Sequence, residues 1–387
     1  METLDLQELI LDKLNTLIVV LNNQGNIEFV SKSAQSILGY APNELLGNNW
    51  WEATRFSKPE GEEVKNKLMK LFASRQRSVH QFEHLLKTGY GQTKWFSWNV
   101  SYLNDEQLVG IGMDITDKKL KEKELQEKNH RLLEQHKEIT DSIRYAKRIQ
   151  ENILQSNDFI SKIFPQSFVF YKPKDMVSGD FYFFHEDDTN RYAIAVDCTG
   201  HGVPGAMMSM VANSIIKEVL LNKKLKSPAQ ILYELDKELF KSINSYGYEL
   251  SYDGMDVALA VIHKKTNRLH YAGAFRSALV LRKGNVIELK ANRYPLGFYS
   301  DTEKIFEEQV CMLMEGDELF LYSDGYADQF GGEENRKFNK RNFKDLLKTV
   351  SEMPLEEQEG FLEYSLNNWK QDNEQTDDIL VIGIKVN

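Results

Sequence analysis

A chain of 387 residues is long enough for two or more domains, and 41% apolar content is enough for packed cores. The net charge of −10 argues against a broad nucleic-acid or anionic-lipid surface, and two cysteines, Cys198 and Cys311, exclude a disulfide framework or a Cys-rich zinc site. No run of about 18 apolar residues is present, and the acidic, amphipathic residues 1–14 lack the basic start and apolar core of a signal peptide, so a cytoplasmic protein without a membrane span is expected.

Residues 1–118 read as one small α+β domain. "TLIVVLNNQGNIEFVSKSAQSILGY" is strand, turn, strand, helix, with Gly25 supplying the positive φ that such a turn needs. "TKWFSWNVSYL" alternates Trp95, Ser97, Asn99 and Ser101 against Phe96, Trp98, Val100 and Tyr102, a period of two that predicts a sheet with two unlike faces. Together with "RSVHQFEHLLK" and "LVGIGMDIT", it adds three more strands to an antiparallel sheet. "NNQGNIEFVSKSAQSILGYAPNELLGNNWWE" and the closing "GIGMDITDKK" resemble a PAS sensor domain. The resemblance implies dimer formation and leaves the ligand open. A flavin–cysteine bond is excluded by the lack of cysteine here, and His80 and His84 are read as strand surface positions, not haem ligands.

Residues 119–157 contain neither Gly nor Pro. Leu125, Leu132, Ile139, Ala146 and Ile153 recur every seven residues and predict a helical coiled-coil seam. Its companion row, Asn129, His136, Ile143 and Gln150, is mostly polar, so the expected pairing is marginal. A homodimer through the PAS domain and this helix follows as an expectation.

Residues 158–387 hold nine strand-like apolar runs, several joined by short turns such as "HKKTNR" and "RKGN", and two pairs of helical stretches. Tight turns between neighbouring strands mean antiparallel pairing. Within "RYAIAVDCTGHGVPGAMMSMV", Gly200, Gly202 and Gly205 spell the dinucleotide-binding pattern G-x-G-x-x-G. That reading also needs an acid about 20 residues on, at the end of a second parallel strand. The candidate, Glu218, falls in the helical run "ANSIIKEVLL" instead.

Acids, by contrast, recur at strand ends. Asp180 opens "DFYFF", Asp197 closes "AIAV", Asp324 closes "ELFLYS", and Asp377 and Asp378 open "ILVIGIKV". A buried carboxylate is costly unless paired or metal-bound. A set of four such places points to hard divalent cations, which take oxygen ligands. Two such ions can share a hydroxide and clamp both ends of a phosphoryl displacement.

The ordered set "MVSGDFYFF", "AVDCTGHGVPGA", "GMDVALAVI", "LHYAGA", "YPLGF", "GDELFLYSDGYAD" and "QTDDILVIGI" is similar to the SpoIIE-like branch of the metal-dependent (PPM, or type-2C) serine/threonine phosphatases. The resemblance implies an α-β-β-α sandwich of two antiparallel sheets with two Mn²⁺ or Mg²⁺ ions at one edge. By the same resemblance Asp180, Asp197, Asp324 and Asp377 are catalytic metal ligands, Cys198 contributes its backbone carbonyl, and Asp378 supports from behind. Asp256 is either close to the metals or a turn acid. His201 is either polar support or a loop-ordering residue. Arg276 in "AGAFRSAL" is a turn arginine or a holder of substrate phosphate. The expected function is a sensor-regulated phosphatase that acts on phosphoserine or phosphothreonine of a partner protein, typically an anti-sigma-factor antagonist. The alternatives are a PAS-containing sensor histidine kinase, which the lack of a His-acid phosphoacceptor element on the helix disfavours, and a catalytically dead binding module.

Overall fold

The computed structural model describes residues 16–74, 78–223, 225–244, 252–299 and 304–387. The stretch read above as no signal peptide, residues 1–14, lies outside them. The chain divides into two compact units, Met1–His136 and Lys137–Asn387.

In the first unit five strands, β1 (Thr16–Asn22), β2 (Ile27–Val30), β3 (His80–Lys87), β4 (Thr93–Tyr102) and β5 (Gln107–Asp114), form an antiparallel sheet in the order β2-β1-β5-β4-β3. Gly25 takes φ 77° in the turn between β1 and β2, a conformation that side chains resist. The alternation of β4 is kept: Phe96, Trp98 and Val100 are buried in a core that includes Trp50, Trp51, Val64 and Leu68 from the helices between β2 and β3. His80 and His84 stand half-buried on the edge strand β3.

A helix then runs unbroken from Thr116 to Ile153. Leu125, Leu132 and Ile139 lie on it with 60–62% of their surface exposed. Its end departs from the seam expected above. Gln150 is buried: its Nε2 donates to Ser178 O (2.6 Å) and Ser209 Oγ (2.9 Å), and its Oε1 accepts from Ser178 N–H (3.1 Å). Gln150 is therefore a bracket for the second unit and not a seam position. Periodicity placed it in the polar row because a heptad pattern cannot tell a polar residue facing another helix from one facing a loop.

The second unit carries β6 (Ser167–Lys172), β7 (Asp180–Glu186), β8 (Asn190–Cys198), β9 (Met255–His263), β10 (Arg268–Ala274), β11 (Ala278–Arg282), β12 (Asn285–Leu289), β13 (Gln309–Met312), β14 (Glu318–Tyr322), the short pair β15 (Phe330–Gly331) and β16 (Arg336–Lys337), and β17 (Ile379–Lys385). Two five-stranded antiparallel sheets result, β13-β10-β9-β8-β7 and β12-β11-β14-β17-β6. The strands are apolar on both faces, and the parity of each residue decides where it goes. Tyr182, Ala193, Ala195, Ala258 and Ala260 of the first sheet share a core with Val280, Leu319, Leu321, Leu380 and Ile382 of the second. The alanines leave room for the facing aliphatic residues. On the opposite parity, Phe181, Ile194, Val257 and Leu259 pack with the helices Gly202–Asn222 and Pro228–Asn244. Leu279, Phe320 and Val381 pack with the helices Asn339–Ser351 and Leu355–Lys370. Among the described residues no helix is long and apolar enough to cross a membrane.

Candidate active site

Strand register assembles the acids. Asp180 on β7 lies directly opposite Asp197 on β8, and Asp197 lies opposite Asp256 on β9. All three have the parity of the residues that face the second sheet, so one end of the first sheet presents a row of three carboxylates to the space between the sheets. The second sheet supplies the other side. Asp324 follows β14, and Asp377 and Asp378 precede β17, its hydrogen-bonded neighbour. These six acids line one cleft of about 330 Å³ with Cys198, His201, Phe275, Arg276, Pro295 and Phe298.

The glycine-rich loop fits backbone against backbone. Gly200 has φ 84°, and a Cβ on Gly205 would collide with Gly200 O and sit 3.0 Å from Gly179 Cα. The G-x-G-x-x-G pattern here serves this close approach. Thr199 Oγ1 accepts from Gly254 N–H (3.0 Å) and ties the loop to the start of β9. The Cys198 side chain belongs to the helix-side core, and burial pushes its thiol well above the usual range. Its sulfur is turned away from chemistry.

Asp378 is 4% exposed and both its oxygens are engaged: Oδ1 accepts from Lys174 N–H (2.7 Å) and Oδ2 from Gly179 N–H (2.8 Å). It holds the loop that leads into Asp180. His201 shares a hydrogen bond with Asp175 (2.9 Å) and its other ring nitrogen lies 3.1 Å from Lys174 Nζ, which orders the same region. Asp377 Oδ1 accepts from Asp378 N–H (2.8 Å).

Arg276 is the residue whose weight the sequence understated. It does lie in a turn, yet its side chain is only 13% exposed and its guanidinium reaches three acids: Nη2 is 2.6 Å from Asp197 and 3.0 Å from Asp256, and Nη1 is 2.7 Å from Asp324. The only signal in the sequence was an arginine just after a strand among candidate acids. One guanidinium does not neutralise six carboxylates. Burial pushes Asp197 up to about 7 against the pull of Arg276, with Asp324, Asp256 and Asp377 adding to the rise. Burial also lifts Asp256 to about 6. Asp180 is pushed well above the carboxylate range, by burial first and Asp197 second. Asp377 is raised, again by burial first. For Arg276 burial works downward, but Asp197, Asp324 and Asp256 outweigh it and raise the guanidinium above its ordinary value.

The donor set suits hard divalent cations. All six acids offer oxygen, the environment is short of positive charge, and Asp180 Oδ2 is buried without a hydrogen-bond partner. Among the described residues no group of three or more Asp, Glu, His or Cys side chains closes into a metal cage as placed. The guanidinium of Arg276 stands between three of the carboxylates.

Comparison with known proteins agrees with this geometry. The sequence profile of Stage II sporulation protein E (SpoIIE) matches residues 187–387, and a PAS domain profile matches residues 15–117. The phosphoserine phosphatase RsbP of Bacillus subtilis (strain 168) is 24% identical over 247 residues, which is 62% of this chain and 57% of RsbP. The chain thus spans little more than half the length of that relative. The solved PP2C domain of SiaA from Pseudomonas aeruginosa is 32% identical, with a TM-score of 0.59 over 65% of this chain and 98% of that domain.

Proposed function

The chain belongs to the SpoIIE family and carries a PAS domain, and from that premise we propose that it is a sensor-regulated, metal-dependent phosphatase acting on phosphoserine or phosphothreonine of a partner protein. The single observation that carries this reading is the aspartate row Asp180–Asp197–Asp256 set across from Asp324 and Asp377 in one cleft. Residues 187–387 fall where a sensor histidine kinase would keep its ATP domain, so the family match sets the kinase reading aside.

Asp180, Asp197, Asp324 and Asp377, with the Cys198 carbonyl, are the groups that would hold two Mn²⁺ or Mg²⁺ ions. Bound there, such ions supply a nucleophile at neutral pH and balance charge on phosphoryl oxygens. The chain's own residues do the rest. Asp378 pins Gly179, and Gln150 pins Ser178, so both residues before Asp180 are held from two sides. The Arg276 guanidinium lies in the same cleft and would offer its N–H groups to phosphoryl oxygens. Asp256 is one of the three carboxylates that position that guanidinium. The partner-protein type implied by the resemblance is an anti-sigma-factor antagonist.

The test is release of phosphate from p-nitrophenyl phosphate with Mn²⁺, set against autophosphorylation with ATP. Turnover that needs the metal and is lost on chelation is expected. Metal-independent turnover, or incorporation of phosphate from ATP, would sink the reading.

The proposed organisation is a PAS sensor over 1–118, a signalling helix over 119–157 and a phosphatase domain over 158–387. Leu125, Leu132 and Ile139 leave an apolar row exposed on a single chain, which favours a parallel pairing of two copies of the helix. Replacing Asn129 and His136 with leucine should tighten that pairing. Molecular mass in solution is the measurement. A monomer in both the parent and the Asn129→Leu/His136→Leu variant at micromolar concentration would mean that the helix only tethers.

A further inference from the structure

The turn Ala274–Phe275–Arg276 is built against the chain's own preferences. Arg276 N–H donates to Ala274 O (2.7 Å), closing the turn over one central residue, and that residue, Phe275, has φ 56°. A γ-turn of positive φ is rare and strained, and a bulky side chain makes it more so. The surroundings hold it in place. Phe275 N–H donates to Asn292 O (2.8 Å), the Tyr271 hydroxyl donates to Arg276 O, and a Cβ on Gly273 would collide with Arg276 O.

The fold gains little from a phenylalanine at this point, because 47% of its surface is exposed. A glycine would fill the same turn without strain. The residue instead lines the acid cleft, as do Pro295 and Phe298. Phe298 is itself held fast: its ring lies against Gly254, where a Cβ would come within 2.5 Å of it. The lining of a cleft that holds carboxylates and a guanidinium is therefore apolar in part. Strain maintained at an exposed aromatic beside a reactive centre is a mark of function.

The occupant of that apolar part follows from chain geometry and from the phosphatase reading, on which this inference rests. A phosphoryl group that reaches the acids is attached to a residue whose neighbours lie about 3.8 Å away along the backbone. Those neighbours must pass along the cleft lining. We propose that Phe275, with Pro295 and Phe298, selects phosphoproteins that carry an apolar side chain next to the phosphoserine.

The experiment compares two synthetic phosphoserine peptides of equal length and charge, one with leucines flanking the phosphoserine and one with serines. The ratio of their kcat/KM values on one protein cancels differences in folding and metal loading. The parent should favour the leucine peptide by about 10-fold or more, the size of discrimination that one apolar contact supplies. Phe275→Gly, which also relieves the turn, should bring the ratio close to one, and Phe275→Leu should restore part of it. A ratio near one in the parent, or a ratio unchanged in Phe275→Gly, overturns the proposal. If neither peptide is hydrolysed with Mn²⁺, it is the phosphatase reading that fails. The same pair measured by fluorescence anisotropy then still decides, since equal Kd values for the two peptides overturn the role of Phe275.

Discussion

Asp197→Asn is expected to lower manganese-dependent turnover by about 10³-fold or more while the far-ultraviolet circular dichroism stays that of the parent. The size follows from the several kcal/mol of charge stabilisation a metal centre supplies, at about 1.4 kcal/mol per tenfold. Asp197 is the middle of the carboxylate row, opposite Asp180 on one side and Asp256 on the other, and no neighbour stands where it does. The fold should persist because the site has acids to spare. Asparagine keeps the shape, removes repulsion from Asp180, Asp256 and Asp324, and leaves Arg276 two carboxylates. Rates are to be measured across a manganese titration, since weakened metal binding alone would be overcome by excess metal. Turnover within a few-fold of the parent at saturating manganese would remove Asp197 from the chemistry.

Arg276→Ala should have opposite consequences in two states. Without metal, the variant loses the only guanidinium among the described residues that touches Asp197, Asp256 and Asp324, leaving part-buried carboxylates without compensation. Removing one partner of a buried ion pair costs about 3–5 kcal/mol, less here because the acids can take up protons, so a fall in melting temperature of roughly 5–10 °C is expected. With saturating Mn²⁺ the difference should close, because the cation then balances the acids in place of the guanidinium. For the same reason the variant should bind Mn²⁺ more tightly than the parent. The cost appears with substrate: the KM for a phosphopeptide should rise by about 10-fold or more, with kcat less affected. A metal-free melting temperature equal to the parent's would show that the three contacts carry no net stability. An unchanged KM would leave Arg276 as a charge balancer only.

Much of this is legible in the sequence. Period-two alternation located strands such as Thr93–Tyr102, and the acids at strand ends were visible because a carboxylate beside an apolar run is costly and so informative. The ordered motifs carried the family, and Gly25 marked its turn. Gln150 misled, since a heptad row records spacing and not what each position faces.

The sequence by itself determined which residues sit at strand ends, which strands are apolar on both faces, and that a helix free of Gly and Pro follows the fifth strand. Those are local properties, set by side-chain chemistry and by spacing along the chain. Tertiary structure decided what depends on pairing between distant segments. Register put Asp180, Asp197 and Asp256 in one row, and the meeting of two sheets brought Asp324 and Asp377 across from them. The strained turn after β10 aimed Arg276 into the acids and left Phe275 half-exposed in the lining of their cleft. A one-residue slip in any of these strands would turn its acid to the opposite face, and no local pattern records how strands far apart in the chain are aligned.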